Sequence, residues 1–173
     1  MKISENGLNL IKEFEGLSLK PYLDVVKIPT IGWGNTFYPD GKKVTLNDKP
    51  ISEIEATELL SYVAQKDFAD KIFPLIKVKV SQNQFDAMVS LAYNIGVGNF
   101  SKSTLLKKVN SGDFDGASNE FLKWNKSGGK ELLGLTKRRQ REYEMFKNDF
   151  VVVWVFLFLV CQICVIVFIY KLI

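Results

Sequence analysis

The stretch Phe14-Glu15-Gly16-Leu17-Ser18-Leu19-Lys20-Pro21-Tyr22-Leu23-Asp24-Val25-Val26-Lys27-Ile28-Pro29-Thr30-Ile31-Gly32-Trp33-Gly34 decides how the rest of the chain is read. Leu8, Ile11 and Phe14 fall at helical spacing, Glu15 closes that apolar series, and Gly16 is a helix stop. The pattern predicts a first helix over residues 1–15, with Ser4 as its N-cap and Glu15 on its last turn. A carboxyl there faces the negative end of the helix dipole, and burial against Phe14 and Tyr22 acts in the same direction. Both disfavour the charged form, which is how a general acid is prepared. Asp24 follows nine residues later in a run rich in β-branched side chains: Val25, Val26, Ile28, Thr30 and Ile31. On one straight strand, Asp24 and Thr30 would share a face but lie roughly 20 Å apart, so only a turn unites them. Lys27 and Pro29 permit such a turn without demanding it. Carboxylates near a strand are as a rule solvated, so these residues alone leave the catalytic reading open.

The spacing Glu15-x8-Asp24-x5-Thr30, followed by Ile31-Gly32-Trp33-Gly34, resembles the catalytic signature of the phage-type lysozymes, glycoside hydrolase family 24, to which phage endolysins belong. The segments running from Ala92 to Phe100, from Ser103 to Leu106, and from Gly129 to Leu135 into Arg138-Arg139 resemble the same family, so the likeness covers Ile3 to about Phe146. It implies an α+β fold of two lobes, mainly helical, with a small antiparallel β unit in the N-terminal lobe and a cleft between the lobes. It further implies that Glu15 is the proton donor, that Asp24 and Thr30 position or activate water, and that the anomeric centre inverts. No metal or organic cofactor is implied.

Gly34, Phe100 and Asn125 are candidate substrate contacts, and Trp124 is a further one. For Phe100 and Trp124 the simpler role is structural. Arg138 or Arg139 is a candidate partner for Glu15, the alternative being a solvated helix face. Glu13 lies on a different face from Glu15 and is expected to be solvated. Many relatives carry His after the Gly-x-Gly of this hairpin, where this chain has Asn35. That position is expected to support the hairpin more than the chemistry.

Composition narrows the chemistry independently. The chain has 173 residues and no histidine, which removes Ser-His and Cys-His nucleophile pairs and His-ligated zinc. Carboxylates must then carry any hydrolysis. Residues 1–147 hold 22 Lys+Arg (23 less Lys171) and 18 Asp+Glu (19 less Asp149), a net of +4. Such mild basicity favours encounter with an anionic cell wall. Nucleic acid is not an expected partner, because there is no recognition motif and no long basic run; Lys137-Arg138-Arg139-Arg141 is the only dense basic cluster.

Along the chain, residues 22–45 read as a small antiparallel hairpin or three-stranded unit with its clearest turn at Pro39-Asp40-Gly41. Ser52-x-x-Glu55 and Ser81-x-x-Gln84 are capping boxes. After the first, Ile54, Leu59, Val63, Phe68 and Ile72 can form the buried stripe of one long helix ending before Pro74. After the second, Phe85, Met88, Val89 and Ala92 follow at core spacing, and Gly96 and Gly98 end the helix.

Two parts are expected: a catalytic domain over 1–147 and an apolar tail over 148–173. Residues 150–170 carry no charge and one polar interruption, Gln162. As a helix they would span roughly 30 Å, the thickness of a bilayer core, and a C-terminal transmembrane helix is expected. Cys161 and Cys164 are read as small apolar residues of that helix rather than a redox pair. No apolar segment opens the chain, so no secretory signal is expected. Basic residues before the span, against Lys171 after it, would hold the domain in the host cytoplasm, tail-anchored in the inner membrane until the membrane is permeabilised. An accidental extension of the reading frame explains the tail equally well.

The reading is a monomeric muramidase acting on peptidoglycan glycan strands. Its alternatives are a lytic transglycosylase, and a catalytically silent, membrane-tethered wall binder or lysis helper.

Overall fold

Helices begin where the sequence supplies a side-chain acceptor for the first free N–H groups. In the computed structural model, which describes residues 1–148, α1 (Glu5–Lys12) is capped by Ser4, whose hydroxyl accepts from the Gly7 N–H. Both expected capping boxes form: Ser52 with Glu55 opens α2 (Glu53–Val63), and Ser81 with Gln84 opens the long central helix described below. Between them lie a wide π-helical stretch (Ala64–Ala69), the single turn α3 (Asp70–Ile72) and a 3₁₀ turn (Phe73–Leu75) containing Pro74. The central helix α4 (Gln82–Ile95) ends at Gly96, at φ 83°. Then come α5 (Val97–Lys102), α6 (Thr104–Asn110) and α7 (Phe114–Phe121). A two-residue hairpin, β3 (Lys126–Ser127) and β4 (Lys130–Glu131), leads into α8 over residues 133–148.

The other β unit is β1 (Ser18–Leu23) paired antiparallel with β2 (Pro29–Gly32), with Tyr22 opposite Thr30 and an irregularity between Ser18 and Tyr22. Isolated bridges, Ile31 with Asn35 and Phe37 with Lys43, continue it. The expected turn forms: the Gly41 N–H donates to the Tyr38 carbonyl at 2.9 Å.

Among the described residues, buried apolar side chains form three clusters, one of which, Ile11 with Leu60 and Ala64, joins α1 to α2. Helix α4 runs through the larger core, where Phe85, Met88, Leu91, Phe100, Leu105, Phe121 and Phe146 are all fully buried. A smaller cluster, Ile31, Val44 and Leu59, seats the β unit on α2. Helix α1 belongs with the larger lobe. Ser4 donates through both N–H and hydroxyl to the buried Asp86 of α4. A Cβ on Gly7 would come within 2.8 Å of Asp86, so glycine permits that approach of α1 to α4.

Three expectations need correcting. Helix α1 stops at Lys12, so Glu15 lies in the turn beyond it, its N–H donating to the Ile11 carbonyl. The stripe on the second helix does not start at Ile54, which is 73% exposed; Ala56, Leu60 and Ala64 are buried instead, followed by Ala69 and Ile72. The step from Ala64 to Ala69 is five residues because the chain is π-wound there, with the Asp70 N–H donating to the Gln65 carbonyl. The first strand pair starts at Ser18, ahead of the expected Tyr22. The expected transmembrane helix at 150–170 and both cysteines lie outside the described residues. Among the described residues, no helix is long and apolar enough to cross a membrane.

Candidate active site

Glu15 sits where three elements meet. Its Oε1 accepts from Arg138 Nη1 of α8 at 2.7 Å, with the Arg138 side chain only 4% exposed and that of Glu15 25% exposed. Its Oε2 faces Gly34, where a Cβ would stand 3.9 Å away; Gly34 holds φ 92°, a conformation that favours glycine. Tyr93 of α4 completes the surroundings. Its hydroxyl is pushed well above the ordinary phenol range, first by burial and then by the Glu15 charge, with Arg138 opposing. Tyr22, expected to help bury Glu15, is 38% exposed. The Phe14 ring instead lies 5.7 Å from the Arg138 guanidinium, as a cation–π contact.

Asp24 makes the turn that brings it to Thr30. Its Oδ1 accepts from the Val26 N–H at 2.9 Å and the Ile28 N–H at 2.8 Å, and Lys27 takes φ 64° at the tip. The Ile28 carbonyl then receives both the Asp24 N–H and the Thr30 hydroxyl, each at 3.0 Å. One residue, Ile28, therefore ties both side chains into a single local frame, its N–H donating to the Asp24 carboxylate and its carbonyl accepting from the Thr30 hydroxyl. This leaves Oδ2 of Asp24 and the lone pairs of the Thr30 hydroxyl to meet a ligand.

Of the two candidate partners for Glu15, Arg138 is the one in contact. Arg139, fully buried, pairs with Glu142 at 2.9 Å, and burial pushes its guanidinium down to about 10. Of the dense basic cluster, Arg138 and Arg139 are paired internally, and Arg141 pairs at the surface with Glu13 at 3.1 Å. Glu13 is an exposed surface residue, as expected.

Phe100 is not a wall of the site. It is fully buried in the larger core, and no ring surface is left for a sugar. Trp124 packs half-buried against the same core. Asn125 is half-buried ahead of β3, its carbonyl accepting from the Leu132 N–H. Asn35 is 3% exposed, and its backbone exchanges two hydrogen bonds of 2.9 Å with that of Ile31.

Next to Gly34 a hollow of about 270 Å³ is lined by Asn35, Thr36 and Phe37 from one lobe, and by Phe68 and Tyr93 from the other. Tyr93 is the site residue that sequence reasoning passed over, because it reads as one more core aromatic of α4. Its hydroxyl donates to the Trp33 carbonyl across the lobes at 3.4 Å.

A family model described as phage lysozyme matches residues 12–142. An endolysin of Bacillus phage B103 is 49% identical over 148 residues, 84% of this chain. The chain spans 54% of that relative's own length, and 56% of the endolysin of Bacillus phage PZA. The solved structure of a P22 lysozyme mutant superposes with a TM-score of 0.77 at 40% identity, covering 84% of this chain and 98% of that one. An endolysin from the Escherichia coli O157:H7 phage FAHEc1 superposes with a TM-score of 0.77 at 37% identity, covering 86% and 95%.

Proposed function

We propose, on the premise that the chain belongs to the phage lysozyme family, that it is a muramidase. It hydrolyses the β-1,4 bond between N-acetylmuramic acid and N-acetylglucosamine in bacterial peptidoglycan and so lyses the host. The observation that carries this reading is the contact between Glu15 and the buried Arg138, beside the frame that unites Asp24 and Thr30.

In the proposed reaction, Oε2 of Glu15 carries the proton and gives it to the glycosidic oxygen as the bond to the anomeric carbon breaks. The carboxylate left behind meets Arg138, and a hydrogen bond between ions is about twice as strong as one between neutral groups. The Thr30 hydroxyl donates to the Ile28 carbonyl, so its oxygen is free to accept from the attacking water. Asp24 Oδ2 takes the other proton of that water, and its charge opposes the positive charge developing on the sugar. The water adds from the face opposite the leaving group, with inversion. One chain supplies every group, so a monomer suffices, and Gly34 and Asn125 line the glycan path.

The test is release of new reducing ends from purified peptidoglycan by the full chain, beside Glu15→Gln. We expect release by the parent and a loss of about 10³-fold in kcat for the variant, within the range of a general acid. Anhydromuramic ends would instead identify a transglycosylase. A folded parent that binds the wall without releasing ends would identify a silent binder.

We infer separately that residues 150–170 tether the enzyme to the inner membrane, with the catalytic domain held in the cytoplasm until the membrane is permeabilised. The support is their uncharged, apolar sequence and the basic residues preceding them. Full-length protein should sediment with membranes and resist alkaline extraction. Release by alkali would remove this inference and leave the first intact.

A further inference from the structure

Beneath Arg138 lies a cluster that the reaction described above does not use. Glu142 is fully buried one helical turn further along α8, and three side chains converge on it. Ser90 Oγ of α4 donates to its Oε1 at 2.7 Å, Arg139 Nη2 donates to the same oxygen at 3.0 Å, and Arg138 Nε does so at 3.3 Å. Arg138 Nη2 also reaches the Ser90 carbonyl, at 3.4 Å. Every nitrogen of the Arg138 guanidinium is therefore assigned: Nε to Glu142, Nη2 to Ser90 and Nη1 to Glu15.

A planar guanidinium with two of its three nitrogens fixed has no freedom left to aim the third. The charges point the same way. Two guanidiniums with Glu142 alone leave one positive charge, which Glu15 balances only when ionised. Replacing a buried ion pair by apolar groups is often neutral or stabilising, so stability by itself gives weak grounds for burying such a set.

We propose that Glu142 is a positioning residue for the reaction: it fixes Arg138 so that Nη1 meets Glu15, and it cancels one of the two guanidinium charges beneath the acid. This rests on Glu15 being the acid. The charged and titratable groups facing Glu15 are Arg138 from α8 and Tyr93 from α4; on the segment of Glu15 itself, Glu13 is paired to Arg141. From the loop after β2, Gly34 stands against its Oε2. Removing the charge of Glu142 strengthens the uncompensated field of Arg138 at Glu15 and favours its ionised form, so the acid loses its proton at lower pH.

The experiment is the pH profile of kcat/KM on purified peptidoglycan for the full chain and for Glu142→Gln, with Glu15→Gln as control. We expect the alkaline limb of Glu142→Gln to move to lower pH by on the order of one unit, a loss of about tenfold on that limb, with KM little changed. Glu142→Asp, which keeps the charge, should restore the limb. Should Glu142→Gln not fold, Ser90→Ala removes a single donor to Glu142. It should move the limb in the same direction by less.

A profile that superimposes on the parent in the folded variant, with Glu15→Gln inactive, overturns the role of Glu142. Activity retained by Glu15→Gln overturns the acid itself, and the two failures are thereby told apart.

Discussion

The two halves of the proposed site are supported in opposite ways. Glu15 stands on a turn, yet it is held by tertiary contacts: α1 is tied to α4 through Ser4 and Asp86, and Arg138 reaches it from a fully buried ionic cluster. The side-chain hydrogen bonds of Asp24 and Thr30 run to backbone groups within five residues of themselves, on a hairpin whose Val25 is 98% exposed and Val26 67% exposed. The proposed acid is thus referenced to the larger lobe, and the proposed water-handling groups to their own hairpin.

Asp24→Asn presses hardest on that contrast. The amide oxygen can still accept from the Val26 and Ile28 N–H groups, so the turn should persist while the charge is lost. We expect kcat to fall by about 10²–10³-fold, with an unchanged melting temperature. A large drop in melting temperature would show that the hairpin is braced by more than local bonds.

Phe100→Ala is the mirror case. Truncating a fully buried ring in the larger core should destabilise by about 3–5 kcal/mol while kcat/KM, measured where the protein stays folded, remains near the parent value. A selective loss of glycan affinity would return Phe100 to the substrate path.

Acid sharpens the contrast with a smaller effect. The Asp48 and Glu55 carboxyls, on the side of the β unit, are held below the usual range, chiefly by backbone N–H donors at Thr45 and Ser52. Asp70 and Asp113 shift in the same direction, chiefly through the Gln65 side chain and the Gly116 N–H. Groups lowered on folding contribute stability above their unfolded value, near pH 4, and lose it as pH falls through the folded one. Burial raises Glu142, which gives the opposite sign, with stability fully present in acid and lost as pH rises. Amide exchange at about pH 3 should therefore open residues 36–60 before residues 85–92. The reverse order would undo the division.

What could be read from the chain beforehand follows the same line. Both capping boxes and the turn at Gly41 are codes written within four residues, and they form as read. The turn at Asp24 belongs to this class too, but the usual search for Asn-Gly or Asp-Gly misses it. The signal was the aspartate itself, which bonds its backbone two residues on. Arg138 and Arg139 could not be told apart, because neighbours on a helix point about 100° apart and only the packing of α8 selects one. Ser90 and Glu142 are 52 residues apart and share no local pattern. No uniform helical pitch carries one stripe from Ile54 to Ile72, because residues 64–69 between them are wound more widely than an α-helix.

That wide stretch works as a phase shifter between two gears. Upstream of it, Leu60 and Ala64 mesh with Ile11 and with Trp33. Downstream, Ala69 and Ile72 mesh with the larger core. Winding Ala64–Ala69 at ordinary pitch with all its residues kept would turn everything beyond it by roughly 100°, so one wheel would slip out of tooth. The two lobes keep a common timing because this segment is wound slack.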